Sequence, residues 1–401
     1  MMAFKRLEGE DESGEFSDKQ HEQGPMRSRE RWEYLSQAPR IAWDALVRGE
    51  YRFTFDFMPM VVRGMPAAQR LNMVRAGLNL GYRKLHAWSH PLHMQVELTS
   101  FCNLACPVCP TGNGELRRNA RAMDVGLFEQ LMSEAGPYLL TLSLWGWGES
   151  LLHKDLGRIL EIAERYPTVT LISTNGQNLD QDRVLQALRA HPPTYLIAAI
   201  DGLCDETNSV YRVGAKLRPA LEGVRKMAEW KARTGARLPI LHCRFMAMKQ
   251  NEHELPRVKQ FALDAGFDMV SIRSLSIIDS TENSHHDLVP VSDLLRAYSY
   301  ENGERVRRKD FVCQHAFTFP TMMADGRVVS CEQDFNATQP YGTLTKGSSF
   351  EGIWFSEEAA QIRGTIRDNP EEYSFCRKCP FADRPISSCS IESYTLRPFA
   401  P

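Results

Sequence analysis

The stretch "HMQVELTSFCNLACPVCPTG", residues 93–112, joins two patterns, and together they decide the fold. Its first six residues alternate polar and apolar, which reads as a short strand with a buried face. Just beyond the strand's carboxyl end, Cys102, Cys106 and Cys109 fall within eight residues. Five further runs read as strands: "LLTLSLW" (139–145), "TVTLIST" (168–174), "YLIAAI" (195–200), "ILHCRFMAM" (240–248) and "DMVSIRS" (268–274). Helical patterns lie between them, near 124–136, 154–166, 179–190, 216–234 and 252–265. Strands and helices alternating through short connections specify parallel βα units. Six units are too few for a closed eight-stranded barrel, so the expected fold is α/β, an open partial (β/α)6 TIM-like barrel. Ligands of such parallel architectures bind at the carboxyl ends of the strands, which is where the three cysteines sit.

Composition narrows the class. The chain has 401 residues, 43% of them hydrophobic, enough for a sizeable core and more than one domain. Its formal net charge of -2 gives no global basic footprint for nucleic acid. No apolar run reaches the ~18 residues of a membrane-spanning helix. The first 25 residues are charged and lack the apolar centre of a secretory signal, so a cytoplasmic protein is expected. In a reducing compartment, ten cysteines are metal ligands or free thiols rather than disulfides.

Five segments follow from texture. Residues 1–27 are polar and Gly/Glu-rich, and disorder is expected there. Residues 28–90 read as a helical N-terminal extension with one strand-like piece, "RFTFDFM". Within it Leu71, Val74, Leu78, Leu85 and Trp88 share one helical face. That face is expected to pack on the main domain; the alternative is an amphipathic segment that touches membrane or a lipid-like substrate. Residues 91–275 form the barrel and 276–310 a connector. Residues 311–401, with short strands, few helices and frequent cysteines, form a small second domain.

Thiolates select zinc, copper(I) or iron–sulfur clusters. A structural zinc site closes with four ligands, whereas the C-x3-C-x2-C spacing supplies three and has no credible fourth nearby. A four-iron cluster held by three cysteines leaves one iron open for a reactant. This spacing after the first strand of a six-unit βα domain resembles the radical S-adenosylmethionine (SAM) superfamily. The resemblance implies a [4Fe–4S] cluster on Cys102, Cys106 and Cys109, with its open iron chelating SAM. Reductive cleavage of SAM then yields a 5′-deoxyadenosyl radical that abstracts hydrogen from substrate. Val108 stands where the family usually has an aromatic residue.

Other segments match in order. "WGWGESLLHKDL" (145–156) resembles the family's G-G-E-P-L-L-H segment through Gly148 and Glu149, with Trp147 replacing the first Gly. "STNGQNL" (173–179) resembles its T-N-G turn, making Ser173 and Asn175 candidate SAM contacts. "IDGLCDETNSVYRVGA" (200–215) matches an I-D-G…Y-R-x-G segment through Asp201, Gly202, Tyr211, Arg212 and Gly214. Arg244, on the fifth strand, is a candidate partner for the SAM carboxylate, because a guanidinium pairs carboxylate bidentately.

The C-terminal cysteines resemble the SPASM auxiliary-cluster domain and its shortened form, twitch. Cys313 leads to Gly326-x4-Cys331, and Asp334, Gly342 and Trp354 match the flanking pattern. Cys376-x2-Cys379-x5-Pro385-x3-Cys389 has Pro where the longer pattern has its third Cys, and no cysteine follows Cys389. One auxiliary [4Fe–4S] cluster is expected, on Cys313, Cys331, Cys376 and Cys379. Cys389 either replaces one of the C-x-x-C pair or is a free thiol beside it, and a closed zinc site on the same four cysteines is the competing reading. Cys204 and Cys243 read as free thiols at apolar sites. Glu332 and Asp334 flank a cluster ligand; solvated surface carboxylates are expected, with a substrate base as the sharper reading.

The function implied is a radical SAM enzyme performing a two-electron oxidation of a small-molecule, carbohydrate or lipid-linked substrate. It would draw electrons from a donor such as flavodoxin or ferredoxin. A peptide or protein maturase of the same chemistry is the alternative, and a non-catalytic iron–sulfur or zinc protein the third reading.

Overall fold

Six parallel strands form the centre of the computed structural model: β3 (His93–Val96), β4 (Thr141–Ser143), β5 (Val169–Thr174), β6 (Tyr195–Ala199), β7 (Ile240–Ala247) and β8 (Met269–Ser274). The described residues are 40, 43–82, 84–277, 287–301, 304–308, 311–384 and 389–399. The expected disordered segment 1–27 and parts of the 276–310 connector lie outside them. Each parallel pair is adjacent in sequence order, β3 to β8. Helices connect the strands, as the alternating pattern demanded: Val125–Ala135, Leu156–Glu164, Asp182–Ala190, Asp205–Tyr211, Leu217–Thr234 and Leu255–Ala265. The seven-residue helix Asp205–Tyr211 lies inside the I-D-G…Y-R segment, where no helix was expected.

Strand residues alternate between two environments. Met94, Val96, Leu142, Ile172, Leu196, Phe245 and Val270 pack in the large core with the helices. Val169, Leu171, Tyr195, Ile197, Ile240 and Met269 belong to a separate cluster on the other face. That second cluster is completed by Phe53, Met58, Met60, Val62 and Met65 from the N-terminal extension. All but Met65 come from an antiparallel hairpin, β1 (Tyr51–Phe55) and β2 (Met58–Val62), so the extension carries strands as well as helix. The hairpin closes the amino end of the barrel with apolar side chains, each contributing about 1.5–3 kcal/mol when fully buried.

The C-terminal segment extends the same sheet at both edges. After a small separate pair, β9 (Tyr300–Glu301) and β10 (Glu304–Arg305), strands β11 (Thr321–Met322), β12 (Arg327–Val329) and β13 (Pro340–Thr343) continue it beyond β3, and β14 (Ser390–Thr395) pairs antiparallel with β8. The result is one ten-stranded sheet. Edge groups that would invite aggregation are thereby paired.

The extension's helix packs on the main domain, as expected, but by the opposite face. The helix α1 (Ala67–Tyr82) turns Gln69, Asn72, Ala76 and Asn79 inward, and leaves Leu71, Val74 and Leu78 exposed. Leu85 is half-buried and Trp88 exposed. The apolar face does not pack on the main domain.

Candidate active site and iron–sulfur centres

The loop after β3 is shaped around its cysteines. Cys109 N–H donates to the Cys106 carbonyl at 3.2 Å, and Asn113 N–H to the Cys109 carbonyl at 2.9 Å. A Cβ on Gly112 would lie 2.3 Å from the Cys106 carbonyl oxygen, so only glycine lets the chain return so closely. Cys106 is buried, and Cys102 and Cys109 are half-buried. The Cys102 sulfur accepts from Leu104 N–H at 3.4 Å and from Asn175 Nδ2 at 3.5 Å. Burial pushes the Cys102 thiol up to about 11, and Glu149, Cys106 and Cys109 add to the effect. Burial also pushes Cys106 up, against the pull of the Arg212 guanidinium. Three neighbouring thiols that discourage one another's ionisation suit a positively charged iron core, which relieves all three at once.

Two strand-end motifs meet at Cys102. Gly148 is packed against β3's exit, where a Cβ would lie 2.1 Å from the Thr99 carbonyl oxygen. Glu149 follows, buried, and its carboxylate accepts from Leu151 N–H at 3.0 Å, Thr174 Oγ1 at 2.6 Å and Asn175 N–H at 2.8 Å. Burial still pushes the Glu149 carboxyl up. The Asn175 amide also donates to Asn103 Oδ1 at 2.8 Å. Glu149 thus ties the end of β4 to the end of β5, and Asn175 ties both to the cysteine loop. Ser173 lies on β5, two residues before Asn175.

Asp201 is fully buried, and both its oxygens are engaged. Oδ2 accepts from Arg212 Nε at 2.5 Å and Oδ1 from Met246 N–H at 2.8 Å. Arg212 in turn acts on Cys106. Asp201 therefore positions Arg212. Arg244 lies deeper, 6.0 Å from the Trp145 ring and 3.9 Å from Asp56 at the tip of the β1–β2 hairpin. Among the six SAM-contact candidates, Gly148, Glu149 and Asn175 converge on the first cysteine site, while Asp201 reaches it through Arg212.

Cys313, Cys331, Cys376 and Cys379 line one small, mostly apolar cavity with Phe311, His315, Phe375 and Phe381. Burial pushes Cys331 and Cys376 upward, and their thiol neighbours push the same way. His315 stacks on Phe381 at 4.7 Å, and burial lowers it to about 4, so it faces Cys331 as a neutral ring. Four thiols brought to the walls of one apolar cavity fit a cluster bound by four cysteines. Among the described residues, no three His, Cys, Asp or Glu side chains lie close enough to grip a single metal ion.

Cys389 stands outside that cavity. Its sulfur accepts from Arg273, and its carbonyl accepts from Ser274 N–H at 2.8 Å as β14 pairs with β8. Cys243 is buried as expected, whereas Cys204 is exposed at the start of helix Asp205–Tyr211.

Motif reading did not single out Asp56, Arg273 and Arg384, which lie close to one another. Arg273 on β8 pairs with Asp56 at 2.9 Å, and Arg384 donates to Ser276 Oγ at 2.9 Å while lying 5.0 Å over Phe381. Glu332 faces them from beside Cys331: it bonds with the Gln95 side chain and feels both Arg384 and Arg273, yet burial pushes its carboxyl up. It is half-buried rather than fully solvated. Asp334 is buried, accepting from Thr338 N–H and Gln339 N–H at 2.8 Å each, which makes it a turn cap. Trp147 spans the two cysteine sites. Its indole donates to the Glu332 carbonyl at 2.9 Å, and its own carbonyl lies 4.0 Å from the Cys109 sulfur. The strand alternation carried a signal for Arg273, two residues beyond lumen-facing Ser271; nothing in the sequence pointed to Asp56.

Comparison with known proteins agrees with this geometry. The radical SAM superfamily profile matches residues 96–248, and the profile of an iron–sulfur cluster-binding domain, SPASM, matches residues 313–380. The chain is a radical SAM enzyme. Its cofactors are a [4Fe–4S] cluster and SAM, with auxiliary iron–sulfur binding in the C-terminal segment. It is 23% identical over 318 residues to a tungsten-containing aldehyde ferredoxin oxidoreductase cofactor-modifying protein of Pyrococcus furiosus, covering 73% of this chain and 88% of the relative. It is 24% identical over 328 residues to a PqqA peptide cyclase of Gluconobacter oxydans, covering 77% and 88%. Among solved structures, Streptococcus suis SuiB bound to precursor peptide SuiA superposes with a TM-score of 0.56 at 15% identity, covering 90% of this radical SAM chain and 85% of SuiB. That likeness is one of fold.

Proposed function

We propose that this enzyme oxidises an anionic small-molecule, carbohydrate or lipid-linked substrate held in the barrel lumen between two clusters. In this reading Cys102, Cys106 and Cys109 hold the SAM-binding cluster, and Cys313, Cys331, Cys376 and Cys379 hold one auxiliary cluster. When bound, the first cluster with SAM supplies a 5′-deoxyadenosyl radical, and the auxiliary one an acceptor for a second electron. The observation that carries the reading is the group of charged side chains near the two cysteine sets, which Trp147 bridges. There Arg244, Arg273 and Arg384 outnumber Asp56, and Glu332 faces them from the auxiliary side. Guanidiniums at a partly desolvated site select carboxylate or phosphate groups. A Glu332 carboxylate oxygen is placed to accept the proton that a substrate hydroxyl gives up as its carbon is oxidised. Asn175, Glu149 and the Asp201–Arg212 pair hold the SAM-side loops in place. Ser173 and Arg244 remain candidate SAM contacts, and a flavodoxin or ferredoxin is the proposed electron donor.

The test is to purify and reconstitute the protein without oxygen, then count iron, sulfide and zinc per chain. About eight irons are expected, four for each cluster. SAM with a strong reductant should give 5′-deoxyadenosine, and Cys102→Ala, Cys106→Ala or Cys109→Ala should abolish it. Continued formation by the triple variant would overturn the reading. A result of about four irons with one zinc would remove the second electron acceptor and with it the oxidation.

The second reading is a peptide maturase. It is favoured by the relatives named PqqA peptide cyclase, which align with about three quarters of the chain. A small protein encoded nearby that gains a crosslink when incubated with the enzyme would select it over the small-molecule reading.

A further inference from the structure

Helix α1 is amphipathic with its polar side inward. Gln69 Nε2 donates to the Leu139 carbonyl at 2.5 Å and the Pro167 carbonyl at 3.2 Å. Asn72 accepts from His90 N–H at 2.8 Å and donates back to the His90 carbonyl at 3.2 Å. Asn79 accepts from Trp88 N–H at 2.9 Å. Rolling the helix to bury its apolar side would strip these buried amides of partners, which costs more than the apolar burial would return. The outward stripe is therefore a fixed feature of the fold.

That stripe is large and continuous. Leu71 is 51% exposed, Leu78 48% and Tyr82 68%, with Val74 between them. These residues recur at helical spacing. Trp88 lies beside Tyr82 at 6.0 Å between ring centres. At the other end stand the exposed Trp43, Leu46 and Val47, tied to α1 by Arg70 Nη1 donating to the Leu46 carbonyl at 2.9 Å.

The stretch of sequence that carries the stripe has charge of one sign. Between Asp56 and Glu97 the sequence has no Asp or Glu, but it has Arg63, Arg70, Arg75, Arg83 and Lys84. Lys84 lies 5.4 Å over the Trp88 ring. Of the acids near it, Asp44 pairs with Arg48 at 3.3 Å and Glu50 with Arg52, while Glu351 and Glu357 of the C-terminal segment lie 3.5 and 3.7 Å from His90 and His86. This local excess stands against a chain whose formal net charge is -2. No helix among the described residues is long and apolar enough to cross a membrane.

We infer that the enzyme docks on the surface of an anionic lipid bilayer through this face. Leu71, Val74 and Leu78 enter the boundary of headgroups and acyl chains, and Tyr82 and Trp88 sit at headgroup level. The exposed Arg75 and Lys84 meet the lipid phosphates. Apolar and aromatic residues on one face, flanked by Lys and Arg, are what an interfacial helix requires. The same chemistry would not suit a second copy of this chain, whose face carries the same positive charge.

The full-length reconstituted protein is floated with vesicles of phosphatidylcholine alone or mixed with phosphatidylglycerol. Binding to the mixed vesicles is expected, weakening as salt rises. The double variant Leu71→Ser/Leu78→Ser should lower it more than about tenfold, since two exposed leucines carry the insertion. Arg75→Glu should lower it at low salt and lose that difference at high salt. The variants should keep the parent's iron content and SAM cleavage, so failure here is separate from failure of the catalytic reading. No binding to either vesicle, or binding unaffected by the double variant, overturns the inference. So does a concentration-dependent dimer that the double variant abolishes.

Discussion

Asp201 shows how a single carboxylate can serve a site without touching its ligands. It is fully buried, with one oxygen on Arg212 and the other on the Met246 amide. Asp201→Asn removes the charge but keeps the shape, leaving Arg212 enclosed without its counter-ion. Breaking a buried pair in this way typically costs about 3–5 kcal/mol. The expected outcome is a lower denaturation midpoint in urea under anaerobic conditions; an unchanged midpoint would show that Arg212 finds another partner. Cys389 makes the opposite point. Its spacing from Cys379 kept it among the possible ligands, because sequence distance says nothing about which side of a chain turn a thiol occupies. Strand pairing decides that: β14 runs along β8 and sets the thiol against Arg273. Cys389→Ser is expected to keep the parent's iron content, whereas Cys376→Ser should lose about four irons per chain. Equal losses would place Cys389 on the cluster.

At the scale of elements, the six barrel strands were legible because period-2 alternation and short apolar runs are strong local signals. The β1–β2 hairpin was only half legible. "RFTFDFM" reads as one strand, but the turn is made by Asp56 and Phe57, with φ of 52° and 63°. Two-residue hairpin turns with both central φ values positive normally advertise themselves with Asn-Gly or Asp-Gly, and phenylalanine hides the signal. The α1 stripe was found, but periodicity identifies a face without saying which way it points. A pH dependence belongs at this scale too. His93 links β3 to β4 through Thr141 Oγ1 at 2.8 Å, and burial lowers its pKa from 6.5 to about 4. Between those values the unfolded chain binds a proton that the folded chain refuses. Stability from this group is therefore complete above about pH 6.5 and falls as pH drops toward 4, by up to on the order of 3 kcal/mol. Urea midpoints of the parent and His93→Gln at pH 7 and pH 5 measure it. The parent should lose more stability on acidification than the variant, and parallel losses would refute the assignment.

For the whole molecule, the C-terminal segment is less a separate domain than the two ends of the barrel's own sheet. Its cysteine pattern was readable, but its attachment was not, because edge pairing joins residues more than one hundred positions apart. β11 receives Gln95 N–H and Glu97 N–H at the carbonyls of Pro320 and Met322, at 3.1 and 2.9 Å. Glu97, fully buried, holds Arg118 through two bonds of 2.7 and 2.8 Å and also accepts from Ala324 N–H at 3.0 Å. Arg118 Nε donates onward to the Phe335 carbonyl at 2.6 Å. Trp354 Nε1 donates to the Ser89 carbonyl at 2.7 Å, just before β3, and the buried Arg363 reaches the Leu85 carbonyl at 3.2 Å. A chain ending at residue 310 would keep the Glu97–Arg118 pair and lose all the rest. It would expose both sheet edges, β3 and β8, and leave Glu97 buried beside a guanidinium with no anchor. Open strand edges of this kind aggregate. The truncated chain is therefore expected to be insoluble or to elute as large aggregates in size exclusion, while full-length Cys376→Ser elutes as the parent does. A monodisperse truncated barrel that still forms 5′-deoxyadenosine would mean that the radical site folds without the strands completing its sheet, and that the C-terminal segment serves only its cluster.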